Sequence, residues 1–155
     1  NSTDVGDTLA STGYYGASQS SADHGYATGH SVPQVNTIER FPFSSDTNAS
    51  DVGDLTSASY AAMGSNSATH GYHMKSFQLD KFPFASNTNA TDVGALSLNS
   101  KTYGAGQSSS LSGYSSGGSS GASNVIDKFP FASEGTATDV GDLTVGRYAS
   151  TGQQV

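Results

Sequence analysis

One three-part pattern recurs along this chain and dictates what it can fold into. Asp-Val-Gly begins at Asp4, Asp51, Asp92 and Asp139, at spacings of 47, 41 and 47 residues. Phe-Pro-Phe precedes the last three copies by 10 residues, placing phenylalanines at Phe41 and Phe43, Phe82 and Phe84, and Phe129 and Phe131. Between these markers lie His24-Gly25-Tyr26, His70-Gly71-Tyr72 and Ser112-Gly113-Tyr114. Three markers in one fixed order describe a structural unit copied in tandem, and a period of this size belongs to arrays, solenoids and propellers. The registers are 4–50, 51–91 and 92–138, with a partial 139–155, so residues 1–155 form one array of about three and a third units.

Composition matters here mainly for what it excludes. Apolar residues make up 34% and charged residues 12%, a mixture that by itself suits a disordered linker. The aromatics decide against disorder, because polar tracts have no reason to hold Phe and Tyr in register. Net charge is -7 with only 6 Lys and Arg, so no basic patch for nucleic acid is expected. Anionic membrane surfaces are disfavoured on the same ground, and no apolar run approaches membrane-spanning length. The chain has no cysteine, which removes disulfides and thiolate metal sites. The unit is interrupted at both ends and the first residue is Asn1, so a processed chain or a section of a longer array is expected.

Gly and Ser interrupt every window, and no stretch keeps a 3.6-residue apolar period. The chain therefore reads as strands and turns. In the third unit the expected strands are 103–109, 112–116, 125–131 and 138–144, with Gly117-Gly118 ending the second. Phe129 and Phe131 share one face because side chains alternate along a strand. Pro130 cannot donate to a ladder and belongs at a strand end or bulge. Gly141 signals a bulge or tight bend. Four antiparallel strands per unit is the make-up of a propeller blade, with small residues innermost and paired phenylalanines between blade faces. The expected fold class is all-β, a tandem array of four-stranded antiparallel blades.

The markers resemble the kelch repeat. They run from a basic residue at Lys101 or Arg147, through a small-residue strand, to a Gly-Tyr strand, Gly117-Gly118, and Asn124-Val-Ile-Asp-Lys-Phe-Pro130. Kelch repeats carry an arginine, a strand, a Tyr-containing strand ending in diglycine, and a strand ending near Tyr-Asp-Pro. Asp139-Val-Gly-Asp-Leu143 is similar to the stretch before the kelch arginine. The diglycine is replaced by Gly29-His30 and Lys75-Ser76 in the other units, and the chain has no Trp. The Ser/Gly-rich wording also resembles kelch-like arrays in proteins of marine bacteria and their viruses. The resemblance implies a propeller of roughly six or seven blades. Three and a third blades close no such ring alone, so completion by a longer parent chain, by oligomerisation, or open stacking into a fibre is expected.

Repeated residues make poor catalytic candidates. The Asp4/Asp7, Asp51/Asp54 and Asp139/Asp142 pairs have the hard oxygens calcium prefers, but the third copy reads Asp92-Val-Gly-Ala95. A turn role, with Asp capping and Gly supplying the dihedrals, is the expectation. His24 and His70 occupy equivalent places where the third unit has Ser112, which suggests side chains that tie adjacent strands. His30 and His73 lie nearby and offer a weak transition-metal signal that the third unit lacks. No phosphate loop follows the glycine-rich run 113–121, and no serine sits in a nucleophile elbow. The copper-radical site of kelch-like enzymes needs a Tyr–Cys link, which this chain cannot make.

Asn1, Asn48 and Asn89 open glycosylation triplets just before Asp-Val-Gly, in an expected exposed turn. Tyr14, Tyr15, Tyr60 and Tyr103 carry rings able to stack on sugars, with packing between blades the plainer role. The longer loops 27–36 and 115–123 are where a ligand site is expected, if there is one. No catalytic residue, cofactor or metal is expected. The expected function is a non-enzymatic structural or interaction propeller in an extracellular or virion appendage, self-associating or joined to more blades. The alternative is a glycan-binding propeller with repeated sites.

Overall fold

The structure is a computed structural model and describes residues 2–9, 13–118 and 121–152. Among the described residues all regular structure is β-strand. Blade 1 comprises β1 (Ala17–Ser20), β2 (His24–His30), β3 (Val35–Pro42) and β4 (Ser50–Ser59). Blade 2 comprises β5 (Met63–Asn66), β6 (His70–Lys75), β7 (Gln78–Pro83) and β8 (Thr91–Ala95). Blade 3 comprises β9 (Ala105–Ser108), β10 (Ser112–Ser116), β11 (Val125–Pro130) and β12 (Thr138–Asp142). Each is an antiparallel meander in chain order. The chain is thus all-β, three tandem four-stranded antiparallel sheets. The first strand of the third unit is shorter than its sequence suggests. Tyr103 takes a left-handed φ of 56°, so regular pairing starts only at Ala105.

The markers explain each other once the register is known. Gly25 pairs with Phe41, Gly71 with Phe82 and Gly113 with Phe129 across the two middle strands of each blade. The phenylalanine ring lies on its glycine partner, where any Cβ would overlap the ring. The Gly-Tyr and Phe-Pro-Phe motifs therefore recur together because one makes room for the other. The tyrosine after each glycine points to the opposite face, as strand alternation requires. Each blade has in consequence a Phe face and a Tyr face.

Asp-Val-Gly is a β-bulge. The pairing of β3 with β4 skips Val52, and the pairings in the other blades skip Val93 and Val140 in the same way. The Asp side chain accepts the N–H of the Gly two residues on in every copy, at 3.0 Å in Asp51–Gly53 and Asp139–Gly141. The glycines hold φ of 150° to 156°, which a side chain would resist. The bulge swings the valine out of its own ladder toward the neighbouring blade.

Inner strands β1, β5 and β9 lie side by side. A Cβ on Gly64 would overlap the carbonyl oxygen of Ser18, and one on Gly106 would overlap that of Gly64. Glycine is required because backbone meets backbone. A hydrogen-bond relay runs beside them: Ala61 N–H donates to the Tyr15 carbonyl, Tyr103 to Ala61, and Ala149 to Tyr103 (2.7, 2.8 and 2.7 Å). All four relay residues have left-handed φ of 54° to 60°. The relay ends at Ala149, and beyond it Gly152 packs on the Gly106 carbonyl as Gly106 packs on that of Gly64, although residues 149–152 form no strand.

Candidate assembly interface

Two seams join the three blades, and they are built alike. In the first, Tyr26, Ile38 and Leu55 of blade 1 pack on Phe82 and Ala90 of blade 2, with Val52 and Phe84 at the margin. Tyr26 stacks on Phe84 at 4.8 Å between ring centroids and leans on Phe82 at 5.6 Å. In the second, Tyr72, Leu79, Val93 and Leu96 pack on Phe129 and Ala137, with Phe131 beside them. Tyr72 stacks on Phe131 at 5.0 Å and leans on Phe129 at 5.3 Å. Offset and tilted pairs of this kind add to the gain from burying the rings.

Backbone bonds fix the register of each seam. Ala90 N–H donates to the Asp54 carbonyl and Ala137 N–H to the Ala95 carbonyl, both at 2.7 Å. Asn89 Oδ1 accepts the Asp54 N–H at 3.1 Å. Both groups that Asp54 gives to the seam are main-chain, which is why Ala95 can stand at the same place. Residues 2–9 repeat this contact without belonging to a sheet. Ala49 N–H donates to the Asp7 carbonyl at 2.9 Å, and Asn48 Oδ1 accepts the Asp7 N–H at 3.0 Å. Asn48 and Asn89, noted as glycosylation triplets, are thus seam ties; Asn1 lies outside the described residues.

The carboxylates buried at the seams are not those of Asp-Val-Gly. They sit two residues before each Phe-Pro-Phe: Glu39, Asp80 and Asp127, all buried. Glu39 accepts the Leu9 N–H, and Asp80 accepts the N–H and hydroxyl of Thr56 at 2.9 and 2.7 Å. Burial raises the Asp80 pKa, and the Thr56 bonds pull it back. Asp127 instead meets Lys101, whose Nζ donates to Asp127 Oδ2 at 3.0 Å and to the carbonyls of Ser115 and Val125 at 3.1 Å. Both side chains are fully enclosed, and Asp127 Oδ1 has no partner among the described residues. Burial lowers the Lys101 pKa against the pull of Asp127. The acidic residue before Phe-Pro-Phe was the signal in the sequence; nothing local distinguishes it from a surface charge.

His24, His70 and Ser112 do not tie strands through their side chains. Their backbone N–H groups donate to Ser21, Ser67 and Ser109, closing the first turn of each blade at 3.0 to 3.1 Å. That task is main-chain, so serine replaces histidine without loss. The tying histidine is His73. Its Nδ1 pairs with Thr28 Oγ1 at 2.8 Å and its Nε2 with the Ser59 hydroxyl, joining blade 2 to blade 1. Thr28 Oγ1 continues to Gln19, whose Nε2 donates to the Tyr72 carbonyl at 2.9 Å. Burial, then Lys75, lowers the His73 pKa to about 3, so the ring is neutral and cross-links two hydroxyls. Among the described residues no three His, Asp or Glu side chains converge as a metal set.

At either end of the array the seam is half built. Phe82 and Phe129 are each 2% exposed, whereas Phe41 is 37% and Phe43 57% exposed. Among the described residues no tyrosine ring lies on Phe41 or Phe43. At the far end Tyr114 is half-buried, with Lys128 Nζ over its ring at 6.0 Å, and Val140 is exposed. No family model and no curated protein matches this chain. The reading of function therefore rests on the seams themselves.

Tyr15 meets Tyr103 edge-on at 5.5 Å and Tyr14 at 6.3 Å, so these rings form a cluster beside the relay. Tyr14, Tyr15 and Tyr60 remain exposed. A separate cavity of about 720 Å³ opens where the first turns of the three blades converge, lined by serines, alanines and Asn66, with Ser20 and Ser108 among the serines.

Proposed function

We propose that the chain is a non-enzymatic structural and interaction module, a section of a kelch-like β-propeller that joins further blades through its end faces. The observation that carries this reading is where the repeated residues are used. In the filled seams Asn89, the Phe and Tyr markers and the buried carboxylates Asp80 and Asp127 serve to join one blade to the next, and among the described residues no cluster suited to a metal is left over. The kelch resemblance draws support from blade 3, where Gly117 and Gly118 end β10 with φ of 67° and 91° and Lys101 is the enclosed basic residue. An extracellular or virion appendage is the setting we propose. Low charge and the absence of cysteine suit it.

Light scattering read beside electron micrographs tests the reading. A closed ring or a fibre is the expected result. A persistent single-copy particle, or a catalytic activity mapped to one blade, overturns it.

A second reading is favoured by the three-turn cavity. Ser20, Asn66 and Ser108 place small polar side chains around a space large enough for a saccharide. A glycan array probed with the folded assembly is expected to give hits suppressed by Asn66→Ala. An array without hits removes this reading.

A further inference from the structure

Resting on the structural role just described, we propose that the Phe face of blade 1 receives the Tyr face of blade 3 of a second copy, and that residues 2–9 are a removable placeholder on that face. The filled seams supply the template. Tyr26, Val52 and Leu55 meet Phe82, Phe84 and Ala90 in one; Tyr72, Val93 and Leu96 meet Phe129, Phe131 and Ala137 in the other. The open faces carry the same two half-sets. Tyr114, Val140 and Leu143 stand at one end, and Phe41, Phe43 and Ala49 at the other. A second copy is the occupant because the chain already holds both halves of an interface it makes twice within itself.

The placeholder fills part of the site and leaves out its main component. Gly6 presses on Thr47 as Gly53 presses on Thr88 and Gly94 on Gly135, whereas Gly141 has open space beside it. Asp4-Val-Gly-Asp7 therefore stands where Asp139-Val-Gly-Asp142 of a neighbour would stand. It brings no tyrosine. A cavity of about 280 Å³ remains between the placeholder and blade 1, lined by Val5, Thr8, Phe41, Pro42, Thr47 and Ala49. In the filled seams a tyrosine ring lies against the matching phenylalanines. β12 is hydrogen-bonded into blade 3, so when it docks it brings Tyr114 with it.

The far end holds a matching placeholder. Ala149 donates to the Tyr103 carbonyl, and Gly152 packs on Gly106 where an incoming β1 would lie. Each join displaces one short segment from each copy and gains a whole seam.

The test uses full-length chain and light scattering over a concentration series. Asp7→Pro removes the N–H held by Asn48 and loosens the placeholder, so it is expected to lower the concentration at half-assembly roughly tenfold. Tyr114→Ala and Phe41→Ala are expected to raise it by at least roughly tenfold, with far-UV dichroism unchanged. The chain has no cysteine, so an Asp142→Cys, Asn48→Cys variant with a short thiol cross-linker reports the register. Covalent multiples of the chain on denaturing gels support the proposal, with each single-cysteine variant giving no ladder. Assembly that ignores Tyr114→Ala and Phe41→Ala, or yields no ladder, overturns this register and leaves the structural role standing. A chain that stays monomeric even as Asp7→Pro overturns both.

Discussion

Blades 2 and 3 present their phenylalanines to a neighbour, and blade 1 presents the same residues to solvent. Phe82, Phe129 and Phe41 share a sequence motif, a strand position and a glycine partner. The apolar face of the preceding blade, Tyr26 with Ile38 and Leu55 in one seam and Tyr72 with Leu79, Val93 and Leu96 in the other, separates 2% exposure from 37%. The motif therefore encodes an interface, and a sheet of this type draws its stability from the next one. The largest expected effect tests this directly. Phe129→Ala or Phe82→Ala is expected to cost about 4 kcal/mol in urea unfolding, as for a buried aromatic that leaves a cavity. Phe41→Ala is expected to cost under about 1 kcal/mol in the monomer. Equal losses at the three positions would break the comparison.

The two filled seams also differ, in how they solve one polar problem. Against the second strand of the next blade, the first seam holds neutral His73 between the hydroxyls of Thr28 and Ser59, and the second holds the Lys101–Asp127 pair near Ser115. Lys101→Met strands a buried carboxylate and is expected to cost about 3 kcal/mol. Lys101→Met with Asp127→Leu is expected to recover most of that loss, because no charge is then left to desolvate. A double variant no better than the single one would show that the pair is more than mutual compensation.

The first seam fails in acid instead. His73 has a folded pKa near 3 against an ordinary value of 6.5. Between those values the unfolded chain binds a proton that the folded chain refuses. The stability His73 supports is whole above pH 6.5 and drains as pH falls toward 3. The expected loss from pH 7 to pH 5 is about 2 kcal/mol. His70, lowered by partial burial and then by Lys81, tilts the same way, so the difference between wild type and His73→Gln isolates this site. An unchanged slope in His73→Gln would remove His73 from the account.

Much of this was legible in the chain because the repeat carries it. The strand 112–116, the diglycine stop, the shared face of Phe129 and Phe131, and the bulge at Gly141 follow from local spacing and alternation. The buried polar groups were not legible, because their partners are distant in sequence and meet them only when one blade packs on the next. His73 needs Thr28 and Ser59; Asp80 needs Thr56; Asp127 needs Lys101. Charged residues default to the surface, and only the assembled seam reverses that default. His24 and His70 misled for the opposite reason. Their recurrence is real, but the task at that place is main-chain.

The smallest effects sharpen the comparison between the two filled seams at their outer edge. In the first, Asn89 caps the Asp54 N–H; in the second, Thr136 stands in the asparagine place and Gly135 N–H donates to the Val93 carbonyl at 2.8 Å. Asn89→Ala is expected to cost about 1 kcal/mol, the value of one net hydrogen bond. Asp54→Ala is expected to stay within about 0.5 kcal/mol, since that seam position uses only backbone and Ala95 already occupies its counterpart. Thr136→Asn transplants the cap and is expected to gain about 0.5 kcal/mol by reaching the Ala95 N–H. The gain requires the two outer edges to be superimposable. A loss on Thr136→Asn would show instead that the backbone bond from Gly135 has already set the second seam in a different register.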